Sequence, residues 1–311
     1  MSYFHITARP TARRGFTLIE LLVVIVIIGI LASLLFVGGN EVRKNVRRGI
    51  IKLKISQVET ALESYNKKYG EYPPDFSDEA AVMRHVRKRW PNWQNGPKDF
   101  GEFCSMVQSA AGYNFTPETG HRTKSRGAHI GALAFWLGGI RDSNGMLNGF
   151  SADVANPLGS GPGITQWDKD SQFMELTEGS NCEIVDGLPV ITANGFPIAY
   201  FKPNSAGQYV QKNDPDDPLL CFHLPFTKPE WSDMGVAAPY AKSGTTIDNA
   251  VWYNPKKYQL IHPGLDGKFC ESGLDEFRVI DPDKDVMLNI TLADRDNQAN
   301  FGGTTIESAG K

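Results

Sequence analysis

The chain has 311 residues, 41% hydrophobic and 22% charged, which is enough to bury a sizeable core. Its 32 Lys and Arg against 35 Asp and Glu leave a formal net charge of -3, so composition excludes a global electrostatic pull toward a polyanion. Cys104, Cys182, Cys221 and Cys270 show neither C-x-x-C nor H-x3-H spacing, which argues against zinc.

Residues 1–15 form a polar leader with Arg9, Arg13 and Arg14 and no acid; without it 29 basic groups face 35 acidic ones, a net of -6. An apolar run of 22 residues follows at once, Phe16 to Val37, with Glu20 its single charge. As a helix it extends roughly 33 Å, enough for a hydrocarbon core of about 30 Å. An ionisable residue inside such a span is costly unless paired, which marks Glu20 as functional. Lys and Arg are plentiful on both sides of the span, so their count alone leaves the topology open. After Gly38-Gly39, where a long helix can bend, the pattern turns amphipathic. Ile51, Ile55, Val58, Leu62, Tyr65 and Tyr69 recur at helical spacing and are expected to face a core. Gly70 and Pro73-Pro74 end this helix.

A second helix is expected from Asp78 to Trp90, carrying Arg84, His85, Arg87, Lys88 and Arg89. With Arg122, Lys124 and Arg126 it makes the local case for nucleic acid, yet charge runs are ordinarily solvated faces and Trp90 and Trp93 read as core anchors, so nucleic acid is not the first reading. An apolar helix is expected over Ala128–Leu137, then a loop from Asn144 to Gly163. Cys104, His121 and His129 lack a metal-binding pattern. No Gly-x-Ser-x-Gly, phosphate loop or H-E-x-x-H occurs, so the chain reads as a non-enzyme. Cys182–Val185 and Leu188–Thr192 form a hairpin about Asp186-Gly187, and a strand follows toward Phe201. Lys202 to about Asn254, with Asp214, Asp216 and Asp217, reads as ordered loop; a last strand begins at Tyr258. Asp281-Pro282-Asp283-Lys284-Asp285 opens like an EF-hand loop, but Val286 replaces the required Gly and Leu292 the closing acid, which excludes it.

Gly15-Phe16-Thr17-Leu18-Ile19-Glu20-Leu21-Leu22-Val23-Val24, continued to Leu35, resembles the class III signal of type IV pilins and type II secretion pseudopilins. Tyr69 to Pro73, Asn194 to Phe201 and Tyr258 to Phe269 are similar, more loosely, to the major pseudopilin. The resemblance implies cleavage between Gly15 and Phe16 by prepilin peptidase, N-methylation of Phe16, and Glu20 as the assembly residue. A physical reason accompanies it: between packed helices the Phe16 ammonium of one subunit and the Glu20 carboxylate of another relieve each other's burial.

The implied fold is α+β and pilin-like, a long N-terminal helix packed on a small antiparallel sheet with large insertions. Its expected parts are a cleaved leader (1–15), a membrane and filament-core helix (16–38), its amphipathic continuation (39–70), a helical and loop insertion (71–180), and the sheet with C-terminal loops (181–311). The implied function is structural, a subunit of a type II secretion pseudopilus or type IV pilus-like filament supporting protein secretion. The alternative is a minor type IV pilin with an adhesive or DNA-binding role. The implied partners are other pilins, copies of itself, prepilin peptidase, the inner-membrane assembly platform and inner-membrane lipid, with the C-terminal part in the periplasm before assembly. There the four cysteines could form two disulfides of open connectivity. No cofactor is required. A structural calcium is implied at Asp266, in Gly264-Leu265-Asp266-Gly267, with Asp294 and Asp296 as downstream acids, although Cys270 to Ala293 separates them.

Overall fold

The computed structural model describes residues 16–113, 115, 128–142, 144–159, 164–185, 187–209, 228–270, 278–281, 286–288 and 290–301, with the side chains of 33–41, 128–130, 281, 286–288 and 293 left aside. The first helix, α1, is Leu18–Tyr69, and the chain divides into two compact units, Met1–Val46 and Arg47–Lys311. In the first unit the apolar side chains of α1 are exposed, from Leu18 through Leu31. Among the described residues no helix is long and apolar enough to cross a membrane; the expected span to Val37 runs into residues whose side chains lie outside the description.

In the second unit α1 buries the expected stripe. Ile51, Val58, Leu62 and Tyr65 are fully covered, Ile55 nearly so, and Tyr69 packs at the margin. Each such large side chain contributes roughly 1.5–3 kcal/mol of burial, which outweighs intrinsic propensity as the reason this stretch is helical. Gly70, at φ +75°, turns the chain out of the helix. A hydrogen-bonded relay then fastens α1 to the second helix, α2 (Glu79–Arg89). Arg89 donates to the Tyr65 hydroxyl at 2.8 Å, Tyr65 meets His85 Nε2 at 2.6 Å, and His85 Nδ1 meets Glu71 at 2.6 Å. The His85 hydrogen bond holds the Glu71 carboxyl down at about 2. The Arg89 guanidinium is boxed by the rings of Tyr65, Tyr69, Trp90, Trp136 and Phe150.

Asp78 caps α2 by accepting from the Ala81 N–H. A third helix, α3 (Phe100–Ala111), capped by Asp99, was not expected, although Phe100, Phe103, Cys104, Val107 and Ala110 repeat at helical spacing and are all buried. The apolar α4 (Ala128–Gly138) lies where predicted, and its Trp136 indole N–H donates to Pro74 O at 3.0 Å.

The strands are short. β1 (Phe150–Ser151) pairs with β2 (Trp167–Asp168). β3 (Cys182–Val185) and β4 (Leu188–Ala193) form the predicted hairpin, extended by β5 (Phe196–Pro197). β6 (Ala199–Phe201) begins the next sheet. The segment 202–254 contradicts its expectation as loop, for it carries β7 (Tyr240–Ser243) and β8 (Val251–Trp252). β9 (Gln259–His262) follows, then β10 (Arg278–Asp281), β11 (Val286–Leu288), α5 (Leu292–Asp296) and β12 (Gln298–Ala299). β9 lies between β6 and β12, while β10 and β11 join β7 and β8, with β10 parallel to β7 in an otherwise antiparallel set.

Two cores result, and the side-chain period of two distributes the strands between them. Ile191, Tyr200 and Leu260 enter the cluster shared with α1, α2, α3 and α4. Their neighbours Val190, Ala199, Phe201 and Ile261 enter a second cluster with Trp231, Tyr240, Trp252 and Val279. The central strands are therefore covered on both faces. The presumed loop insertion supplies the second cover.

His262, fully buried at the end of β9, donates from Nε2 to Ala193 O at 2.8 Å and accepts the Gly264 N–H at Nδ1 at 3.1 Å, a pairing that only the neutral ring satisfies. Burial pushes its pKa down to about 4. The unfolded ring protonates near its ordinary value of 6.5, so stability is full above that value and lost as pH falls toward 4, on the order of 3 kcal/mol when complete. Thermal melts across pH 7 to 4 should show this decline, and it should flatten in His262→Gln. His85, also lowered by burial, keeps part of the slope in that variant.

Candidate assembly and cation sites

Of the processing residues, Gly15 lies outside the described residues, whereas Phe16 and Glu20 are exposed at the start of α1. Thr17 and Glu20 form a reciprocal cap. The Thr17 N–H and hydroxyl donate to Glu20 Oε2 at 2.9 and 2.8 Å, and the Glu20 N–H donates to the Thr17 hydroxyl oxygen at 3.3 Å. The Thr-x-x-Glu spacing carried this signal in the sequence. Glu20 thus starts the helix locally while leaving its acid at an exposed end, where the helix dipole favours it.

The three acids proposed for calcium are brought to one end of the fold but not to one cage. Asp294 is turned inward and wholly buried. Its Oδ1 accepts Arg278 Nε at 2.8 Å and the Tyr240 hydroxyl at 2.8 Å, and its Oδ2 accepts the Thr291 N–H and hydroxyl at 2.9 and 2.7 Å. Arg278 also donates to Val236 O at 3.0 Å. Asp296 instead receives backbone N–H groups, from Leu265 at 2.5 Å and Asp266 at 3.3 Å, and meets Arg48 of α1 at 3.5 Å. Asp266 accepts the Lys268 N–H at 2.9 Å. Gly264 is required here: at φ +73° a Cβ would stand 2.2 Å from Asp296 O. The Asp294 carboxylate, both of whose oxygens are filled by donors, does not fit calcium, which needs six or so free oxygens. Among the described residues no group of three or more His, Cys, Asp or Glu could hold a metal ion. Asp294, expected as a cation ligand, is paired with a guanidinium from β10.

The disulfide expectation changes as well. Cys104 and Cys182 are free thiols buried in the first core, so two bridges are not formed; both pKa values are pushed up to about 12 by burial. Cys270 is buried and its sulfur accepts the Val236 N–H at 3.3 Å, while Cys221 lies outside the described residues. On α2, His85 and Arg89 face inward, which leaves Arg84, Arg87 and Lys88 as its exposed cations. Lys88 reaches Glu71 at 3.6 Å and Arg87 donates to Lys98 O. Arg122, Lys124, Arg126 and His121 lie outside the described residues, as does the side chain of His129.

Residues 10–36 match the family model described as the prokaryotic N-terminal methylation motif, the signal typical of type IV pilins and pseudopilins. No curated protein and no solved structure matches the chain.

Replacing Arg278 by Met leaves the Asp294 charge buried without its partner, a loss of about 3–5 kcal/mol. The midpoint of thermal unfolding should drop sharply in Arg278→Met, and wild type should melt alike in calcium and in chelator. A wild-type midpoint that rises with calcium would overturn this account.

Proposed function

We propose, for a chain that carries the pilin-type methylation signal and is on that ground a type IV pilin-like substrate of prepilin peptidase, that it serves as a structural subunit of a type II secretion pseudopilus. The observation that carries the reading is the matched segment itself, with Glu20 as the one charge in an apolar run that opens a 52-residue helix. Cleavage after Gly15 and methylation of the Phe16 amine would leave a membrane-anchored subunit. Its apolar half then leaves lipid for the packed centre of a filament, and its outer half, already fixed into the globular core through Ile51 to Tyr65, carries the domain along. Filament formation would bring the Phe16 amine of one copy to the Glu20 carboxylate of another, setting axial register.

The exposed apolar side chains from Leu18 to Leu31 support this use, since such a surface must be covered by lipid or by other helices. The resemblance to the major pseudopilin around Tyr69, Phe196 and Tyr258 favours secretion over surface attachment. The C-terminal unit would occupy the periplasm.

Glu20→Ala should leave processing intact, with mature protein beginning at methylated Phe16 by mass spectrometry, and should abolish incorporation into filaments. Immunoelectron microscopy of overproducing cells should show periplasmic stubs. Long surface fibres would favour the pilus, and normal filaments from Glu20→Ala would remove the charge pairing from the mechanism.

A further inference from the structure

Where α1 ends, the chain encloses a polar cleft of about 720 Å³ that the filament reading does not use. One wall is the exit segment Gly70 to Asp78 together with Arg84 of α2; the other is Lys202 to Ser205 with Pro255 to Lys257. Both walls are pinned from behind. The Tyr200 hydroxyl donates to Pro73 O at 2.7 Å, the Lys202 N–H donates to Asp75 Oδ2 at 2.8 Å, and the Tyr209 hydroxyl donates to Asn254 O at 2.9 Å. The shape is therefore set before any ligand arrives.

The charges inside are unbalanced in their pairing. Every acid is engaged: Asp75 by Ser77 and the Lys202 N–H, Glu71 by His85 and Lys88, Asp78 by the Ala81 N–H. Lys257 is taken by Glu63. Arg84, Lys256 and the ammonium of Lys202 have no hydrogen bond or ion pair among the described residues. Lys202 is the informative one. Burial lowers its pKa, Glu71 and Asp75 oppose that, and the positive charges of Arg84 and Lys88 reinforce it. Glu71 and Asp75 are themselves bonded elsewhere, so a further anion in the cleft would relieve the partly desolvated Lys202 together with Arg84. Guanidinium and ammonium donors converging on a cleft of this size are the chemistry that recognises oxyanions.

We propose that this cleft binds an oxyanion ligand, a phosphate- or polycarboxylate-bearing small molecule, held by the half-buried Lys202 and the exposed Arg84 and Lys256. The site belongs to the C-terminal unit and does not depend on filament assembly.

The test is calorimetric titration of the full chain in detergent micelles with inorganic phosphate and, separately, citrate, sodium chloride holding ionic strength constant. Saturable heats are expected with at least one anion, and affinity should fall tenfold or more in Lys202→Gln and in Arg84→Gln. Preference for phosphate identifies a phosphoryl ligand; preference for citrate identifies a carboxylate. Should Lys202→Gln fail to fold, exposed Lys256→Gln serves in its place with an expected loss of several-fold. Heats absent for both anions, or equal in wild type and every folded variant, would overturn the site.

Discussion

The stripe from Ile51 through Tyr65 on α1 enters the same core as α2, α3, α4 and the central strands, and the hydrogen bonds of Tyr65 with His85 and Arg89 bind that face to α2. Because that face belongs to the same helix as the exposed apolar run at Leu18 to Leu31, one element has two obligations: an all-round apolar surface first, then a single buried stripe. The helix changes character without changing secondary structure. Its assignment is continuous through Gly38 and Gly39, where the sequence would have allowed a break.

The relay that closes the end of α1 explains why a basic helix can lie against this core. Arg89 is wrapped by aromatic rings and hydrogen-bonded to Tyr65, and His85 stays neutral between Tyr65 and Glu71. In the second core Arg278 and Asp294 perform a comparable task with an ion pair, and Tyr240 and Asn297 add to the bonding around them, the Asn297 side chain donating to both the Tyr240 hydroxyl and Phe269 O. Buried polar groups of this kind cost stability unless each is satisfied, and Arg89, whose Nε and Nη2 have no hydrogen-bond partner among the described residues, relies on the rings around it. The first arrangement fastens α1 to α2 and the second ties α5 to β7 and β10, in both cases through side chains.

What the sequence made legible follows from how local each signal is. The α1 stripe, the α2 cap at Asp78, α4 and the β3–β4 hairpin announce themselves through short-range periodicity, capping and turn residues, and each lies where those signals place it. The strands β7 and β8 escaped because β8 pairs only with β7, the other partner of β7, β10, is distant in the chain, and their residues are set among Gly, Asp and Pro. Asp294 illustrates the harder limit. Its position in the turn-and-acid pattern suggested a ligand, but its role was decided by Arg278, whose approach depends on a parallel strand pairing that no local pattern encodes. Glu20 is the converse, since the Thr17 spacing that discloses its capping role was present in the sequence throughout.

The two buried thiols carry a consequence for how the unit is held together. Burial pushes both the Cys104 and Cys182 thiols up to about 12, which disfavours the thiolate, the species that attacks a disulfide. Packed into α3 and β3, these sulfurs lie out of reach of an exchanging partner, and the first core around them is held by side-chain packing rather than by a bridge between the two.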